Sequence, residues 1–286
     1  MSDSKQYEWQ LAHGKRLALG SKSVLMGILN VTPDSFSDGG EYSDIDRALT
    51  HARDMIAEGA AIIDVGGEST RPGATEVTAA EEQARILPVI EALAAEGNCL
   101  ISVDTYRAET ARKAVEAGAH IVNDVHGLQR EPDIAHVAAE TGAGLVIMHT
   151  GRGREKLPDV IEDQFLFLRR SLEIAHEAGV NDSQIVLDPG FGFAKDREEE
   201  LTLMARLGEL LALGYPLLVG TSRKRMIGHL AGDDRIARDV GTSATSVLLR
   251  MQGVLIFRVH NIPFNRDALA FADAVLERQF SGHPLR

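Results

Sequence analysis

A single cysteine, Cys99, stands in the whole chain, and one cysteine cannot close an internal disulfide. No apolar stretch approaches the roughly 20 residues that a membrane-crossing helix needs. The N-terminus lacks the apolar core of a secretion signal, so the expected location is the cytoplasm. Positive charge is scarce as well, with 30 Lys and Arg against 42 Asp and Glu and a net charge of -12. With no long basic run and no interleaving of basic and aromatic residues, this balance argues against general nucleic-acid binding. No internal linker divides the chain. What is present is ordinary for a globular protein: 44% hydrophobic and 25% charged residues in 286, ample for a sizeable core. Cys99 precedes an apolar run, has no identifiable partner base, and reads as a small buried residue rather than a nucleophile.

Eight short apolar runs organise the sequence, and each closes on polar side chains. They are Met26–Asn30, Ala61–Val65, Leu100–Asp104, Ile121–Asp124, Gly144–His149, Ile185–Asp188, Pro216–Ser222 and Ile256–His260. Runs without polar alternation suit strands covered on both faces. Helical stretches separate them. An amphipathic run follows Ser43-Asp44 and ends at Gly59; Thr78-Ala-Ala-Glu81 has capping-box spacing; Gly118, Gly179 and Gly214 mark later helix ends; a last helix is expected over about 265–280. Pro88 is expected to kink or shorten the second helix. Eight strand-helix units match a single (β/α)8 TIM barrel of roughly 250 residues. An open doubly wound sheet would usually have fewer strands and a nucleotide-type glycine loop, which is absent. Residues 1–23 read as an N-terminal β-hairpin-like extension closing the barrel base, with the barrel over 24–280.

In such a barrel the strand ends meet at one mouth, which makes neighbours of Asn30, Asp64, Asp104, Asn123, His149, Asp188, Ser222, Arg258 and His260. Asp104, Asn123 and Asp188 suit a flat heterocycle, because a carboxylate accepts paired hydrogen bonds from a ring N–H and an amino group while an amide donates and accepts. Ser222-Arg-Lys224 and Arg258-Val-His260 lie on the last two strands, the usual phosphate region, and suit a multiply charged anion. Arg225 reads equally well as part of that site or of a solvated helix. Asn30 offers an oxygen to Mg2+ beside the phosphates. His149 reads as a structural hydrogen-bonding residue rather than a catalyst, and His120, His126 and His136 as core or surface residues.

Several segments together resemble bacterial dihydropteroate synthase: Gly27–Gly39, Asp64–Gly73, Ser102–Thr105, Asn123-Asp124, Asp188–Phe193, Gly220–Lys224 and Arg258–His260, in the family order through nearly the whole chain. The resemblance implies condensation of 6-hydroxymethyl-7,8-dihydropterin diphosphate with p-aminobenzoate to give 7,8-dihydropteroate and diphosphate. It implies a pterin held by Asp104, Asn123, Asp188 and Lys224 between the walls Met148 and Phe193. Asn30, Arg71, Arg258 and His260 would handle diphosphate and Mg2+. Thr70, Pro72, Phe193, Lys224 and Ser222 would shape the p-aminobenzoate pocket, with Phe36 closing over it. The resemblance further implies that Asp104, Lys224, Arg258 and His260 carry the catalysis, by a dissociative substitution, in a homodimer. The sequence departs from the family after His149, where Thr150-Gly-Arg-Gly-Arg154 stands in place of the usual Met-x-Gly-x-Pro, and the role of that loop is open. The alternatives are a methyltetrahydrofolate-dependent corrinoid methyltransferase, which has no need of a diphosphate clamp, and a noncatalytic pterin-binding paralogue, which has no need of complete loops and anion residues.

Overall fold

The computed structural model describes residues 6–32, 41–69 and 76–280, apart from the side chains of 41–43 and 280. Phe36, Thr70, Arg71 and Pro72 lie outside the described residues, as do parts of the resembling segments Gly27–Gly39 and Asp64–Gly73.

An antiparallel hairpin comes first, β1 (Tyr7–Gln10) and β2 (Arg16–Leu19), with Trp9 opposite Leu17. Eight parallel strands follow: β3 (Val24–Asn30), β4 (Ile62–Gly66), β5 (Leu100–Asp104), β6 (Ile121–Asp124), β7 (Gly144–Met148), β8 (Ile185–Asp188), β9 (Leu218–Val219) and β10 (Ile256–Val259). Their order is β8-β7-β6-β5-β4-β3-β10-β9, and a parallel bridge from Leu187 to Leu217 joins the two ends. The sheet is the expected TIM barrel. Its outer layer holds α1 (Glu41–Glu58), α2 (Ala79–Glu96), α3 (Ala108–Glu116), α4 (Asp133–Thr141), α5 (Val160–Glu177), α6 (Arg197–Arg206), α7 (Arg225–Ala231), α8 (Arg235–Met251) and α9 (Ile262–Phe280).

Local chemistry accounts for most helix boundaries. Thr78 and Glu81 form the reciprocal capping box at the start of α2, and Gly97 closes that helix in the left-handed region at φ 66°. Gly59, Gly118, Gly179 and Gly214 all carry positive φ just beyond helical segments. Two expectations need correction. Helix α2 is not shortened at Pro88 but runs through it, because the proline removes one backbone donor while Ile86, Val89, Ile90 and Leu93 bury the same helix in the core. Helix α9 starts at Ile262, before the expected position, where the Asn261 side chain accepts from the Phe264 N–H.

The strands sort their side chains by parity, the period of two that any strand imposes. Ile63, Val65, Ile101, Val103, Val122, Leu145, Ile147, Leu187 and Phe257 face the helices in the main core. Met26, Ile62, Ile121, Val146, Val186, Leu218 and Ile256 point into the barrel, where Trp9, Leu11 and Leu19 of the hairpin segment join them. Trp9 is fully buried and donates its indole N–H to Gln184 O at 2.7 Å. Gly144 is glycine because a Cβ there would stand 2.5 Å from Leu11 and 3.1 Å from the Trp9 ring.

Candidate active site

The same parity carries upward along each strand. Two residues above the apolar layer, Asp64, Ser102, Asn123, Met148, Asp188 and Arg258 face inward, and Asn30, Asp104 and His260 lie at the rim. Apolar strand residues therefore fill the base of the barrel, and polar ones stand toward its C-terminal mouth.

Arg258 organises one side of that mouth. Its Nε donates to Asp64 Oδ2 at 2.6 Å and its Nη2 to Asp104 Oδ2 at 2.7 Å, so one guanidinium joins β10 to β4 and β5. Asn123 Nδ2 donates to the same Asp64 oxygen at 3.1 Å. Asp64 is fully buried, and its Oδ1, like Ser102 Oγ beside it in register, has no partner among the described residues. Burial raises the Asp104 pKa, and the nearby Asp64 carboxylate adds to the rise, against the pull of Arg258. Burial alone would lower the Arg258 pKa, but Asp64 and Asp104 hold it above the usual guanidinium value. Gly66 lies between Asn30 and Asp104, where a Cβ would make only ordinary contacts, 3.9 Å from Asn30 Oδ1 and 3.8 Å from Asp104 Oδ2.

Asp188, Lys224 and Phe193 make the opposite side. Asp188 Oδ1 accepts the Gly190 N–H at 2.7 Å, and burial raises its pKa despite nearby Lys224. Lys224 donates to Phe191 O, and its ammonium stands 4.8 Å from the centre of the Phe193 ring. Burial lowers the Lys224 pKa to about 8, with Arg258 adding to the fall and Asp188 opposing it. Arg152, from the loop that departs from the family pattern, stands over the same ring at 4.5 Å. Phe193 packs with Met148, Tyr106 and Val125 in a small apolar cluster of its own. On the last two strands, Ser222 Oγ receives the His260 backbone N–H at 3.1 Å and lies 2.9 Å from His260 Nδ1. Asn30, Asp104, Asn123, Met148, Asp188, Phe193, Ser222, Lys224, Arg258 and His260 thus all lie at this end of the barrel.

His149 does not join them. It follows inward-facing Met148, so parity turns it outward toward α5, where it is fully buried 4.9 Å from the Phe167 ring. Its Nε2 lies 2.9 Å from Asp163 Oδ2 and its Nδ1 2.9 Å from Lys195 Nζ. Arg154 folds back from the departing loop and donates to both Asp163 oxygens, at 2.9 and 2.5 Å. Burial drives the His149 pKa down to about 3, so the ring is neutral. Arg223 is likewise drawn off, bonding both oxygens of Asp239 on α8 at 2.6 and 2.9 Å. Asp64 stands at the mouth as its strand end implies, while nothing in the sequence marks Lys195 or Asp163. Strand parity could have flagged Asp64, whereas a lysine in a loop and an acid in the first turn of a helix carry no signal of their own.

The model of the family described as pterin binding enzyme matches residues 26–260. Over 271 residues the chain is 47% identical to the dihydropteroate synthase of Bacillus subtilis, covering 94% of this chain and 95% of that one. The chain belongs to the dihydropteroate synthases of this pterin-binding family. Two solved structures agree in fold. The Clostridium difficile dihydropteroate synthase, crystallised in the presence of pteroic acid, superposes with a TM-score of 0.86 at 46% identity, covering 89% of this chain and 97% of that one. The Xanthomonas albilineans dihydropteroate synthase with 4-aminobenzoic acid gives 0.88 at 39% identity, covering 94% and 98%. The chain is accordingly an enzyme, a transferase of folate synthesis, and the methyltransferase and noncatalytic readings give way to that one.

Proposed function

We propose that this mouth condenses 6-hydroxymethyl-7,8-dihydropterin diphosphate with p-aminobenzoate, releasing diphosphate and forming 7,8-dihydropteroate. The observation that carries the assignment of roles is the pairing of buried carboxylates with buried cations around one opening: Asp64 and Asp104 with Arg258, and Asp188 beside Lys224. Asp104, Asn123 and Asp188 present acceptors and an amide to the edges of the pterin, Lys224 adds a donor, and Met148 and Phe193 supply the apolar walls. Arg258 and His260 face the diphosphate, and Ser222, Lys224 and Phe193 border the p-aminobenzoate pocket; the resemblance assigns Arg71 to the first task and Thr70, Pro72 and Phe36 to the second.

Departure of the diphosphate separates charge. Arg258 and His260 stabilise the leaving group, and the Asp104 carboxylate stabilises positive charge developing on the pterin, which favours a dissociative substitution. The arylamine is nucleophilic once positioned, so no side chain forms a covalent intermediate and orientation supplies the rest. No group of three His, Cys, Asp or Glu capable of holding a metal occurs among the described residues. A single hard amide oxygen, Asn30 Oδ1, fits a Mg2+ that takes its remaining ligands from phosphate and water. When bound, Mg2+ would neutralise charge on the diphosphate oxygens.

The homodimer, the cytoplasmic location and the division into a base-closing segment 1–23 and a pterin-binding barrel 24–280 belong to the same proposal. No described helix is long and apolar enough to cross a membrane. Ile236, Val240, Leu248 and Met251 on α8 and Phe264, Phe271 and Val275 on α9 are exposed apolar residues on two helices that pack together, the kind of face that a second copy covers.

The direct test supplies purified protein with Mg2+ and the pterin diphosphate, with and without p-aminobenzoate, and follows diphosphate and dihydropteroate together. Equal amounts of both products, lost in Asp104→Asn, are expected. Tight pterin-diphosphate binding with no dihydropteroate would overturn the reading.

A further inference from the structure

The turn leaving β8 is held by a separate donor at each of its carbonyls. Asp188 O accepts from the His149 backbone N–H at 2.8 Å, Pro189 O from Gln164 Nε2 at 2.9 Å, Gly190 O from Lys195 Nζ at 2.8 Å, and Phe191 O from Lys224. The Gly190 N–H in turn fixes Asp188 Oδ1. The aim of the Asp188 carboxylate is thus set by where Gly190 sits. Gly190 has no slack: its φ is +66°, and a Cβ would lie 1.9 Å from His149 O.

Lys195 stands apart among these donors. It is only 4% exposed, and its second bond leads away from the mouth to His149 Nδ1. Behind His149 lies Asp163, which also accepts from Arg154 and, at 2.8 Å, from the Leu157 N–H. Donation by Lys195 Nζ to Nδ1 puts the ring proton on Nε2, which faces Asp163 Oδ2; Arg154 Nη2 also lies 2.9 Å from Nε2, and with the proton there it donates to Asp163 rather than to the ring. Burial lowers the Lys195 pKa to about 7, with Lys224 adding to the fall, and protonated or neutral the amine keeps N–H donors for both Gly190 O and His149 Nδ1. Gly190 O has one other protein donor, the Phe193 N–H at 3.2 Å, which comes from within the same turn and cannot anchor it to the sheet.

We propose that Lys195 is a positioning residue for pterin binding: it ties the Gly190 carbonyl to the His149–Asp163–Arg154 network behind the sheet, and so holds the Asp188 carboxylate toward the mouth. The inference rests on the reading of Asp188 as a pterin ligand. It also gives the unusual Thr150–Arg154 loop a task, since Arg154 closes the far end of the network.

The test measures equilibrium binding of 6-hydroxymethyl-7,8-dihydropterin and steady-state kinetics with varied p-aminobenzoate, in the wild-type enzyme and in Lys195→Met, Lys195→Gln and Asp188→Asn. Lys195→Met should weaken pterin binding roughly tenfold to a hundredfold, the scale of losing one buried donor, while KM for p-aminobenzoate stays within about twofold. Lys195→Gln, which keeps an N–H donor, should lose less. If Asp188→Asn weakens the pterin but Lys195→Met leaves it unchanged, the positioning role is wrong. It is equally wrong if Lys195→Met raises the pterin Kd and the p-aminobenzoate KM together, which would mark general loosening. If Asp188→Asn leaves pterin affinity intact, the fault lies in the assignment of Asp188 itself. Should Lys195→Met not fold, Lys195→Gln decides by the same criteria.

Discussion

At the scale of single residues, Arg258 does more than its place on a phosphate-side strand implied. An arginine there suggests an anion ligand, yet its guanidinium spans Asp64 and Asp104. Arg258→Ala should therefore weaken binding of the pterin with and without its diphosphate, because two carboxylates inside the barrel lose their shared cation. The fall in stability should approach about 3 kcal/mol, the lower end for breaking a buried ion pair, since the mouth admits water. Pterin affinity and urea midpoints would check this, and a loss confined to the diphosphate form would contradict it. Gly190→Ala is the sharper lesion. Its Cβ would run into His149 O from a left-handed backbone, so both stability and pterin affinity should fall, whereas Gly142→Ala, with open space around its Cβ at a similar φ of +69°, should cost only the backbone strain of about 1–2 kcal/mol.

At the scale of elements, the hairpin and the β7–α5 contact make separate claims. Trp9 sits at the barrel base, remote from the mouth, so Trp9→Ala should cost about 3–5 kcal/mol in denaturant unfolding while leaving kcat within about twofold. A large loss of kcat in a folded variant would mean that the base controls the mouth. Between β7 and α5, neutral His149 leads to a prediction about acid. The unfolded imidazole takes up its proton near pH 6.5 and the folded one only near 3, so between those values the unfolded chain binds more protons. The stability associated with neutral His149 is full above about pH 6.5 and is lost as pH falls through that window, at about 1.4 kcal/mol per pH unit. Comparing wild type with His149→Gln isolates this slope from the buried Asp104, Asp124 and Asp188, whose raised pKa values act in the opposite sense. Parallel stability curves for the two proteins would refute it.

At the scale of the whole molecule, the exposed apolar stripe on α8 and α9 is the largest feature left unexplained by a lone barrel. Phe271 is 78% and Ile236 68% exposed, the highest values among the exposed large apolar residues described. Sedimentation should find the wild type at twice its 31.0 kDa chain mass, and Val240→Glu combined with Phe271→Glu should give a folded monomer. A wild type that remains monomeric at micromolar concentration would remove the second copy from the proposal. The single thiol gives no alternative covalent route to assembly: Cys99 is pushed up to about 11 by burial and packs against the core.

Much of this was legible in the sequence. Eight apolar runs separated by capped helices imply a barrel, because buried parallel strands need apolar side chains on both faces and helices need polar caps and glycine exits. The polar ends of those runs named Asn30, Asp104, Asn123, Asp188, Ser222, Arg258 and His260, since barrel strands end at a common mouth. Tertiary structure alone decided which polar groups pair. His149 left the mouth because a strand alternates its side chains, Arg258 turned to two carboxylates because its length reaches across the barrel, and Lys195, silent in a loop, met His149 from 46 residues away. Hydrophobic periodicity is local and can be read from neighbours in the chain; the pairing of charges depends on distances that exist only once the barrel has closed.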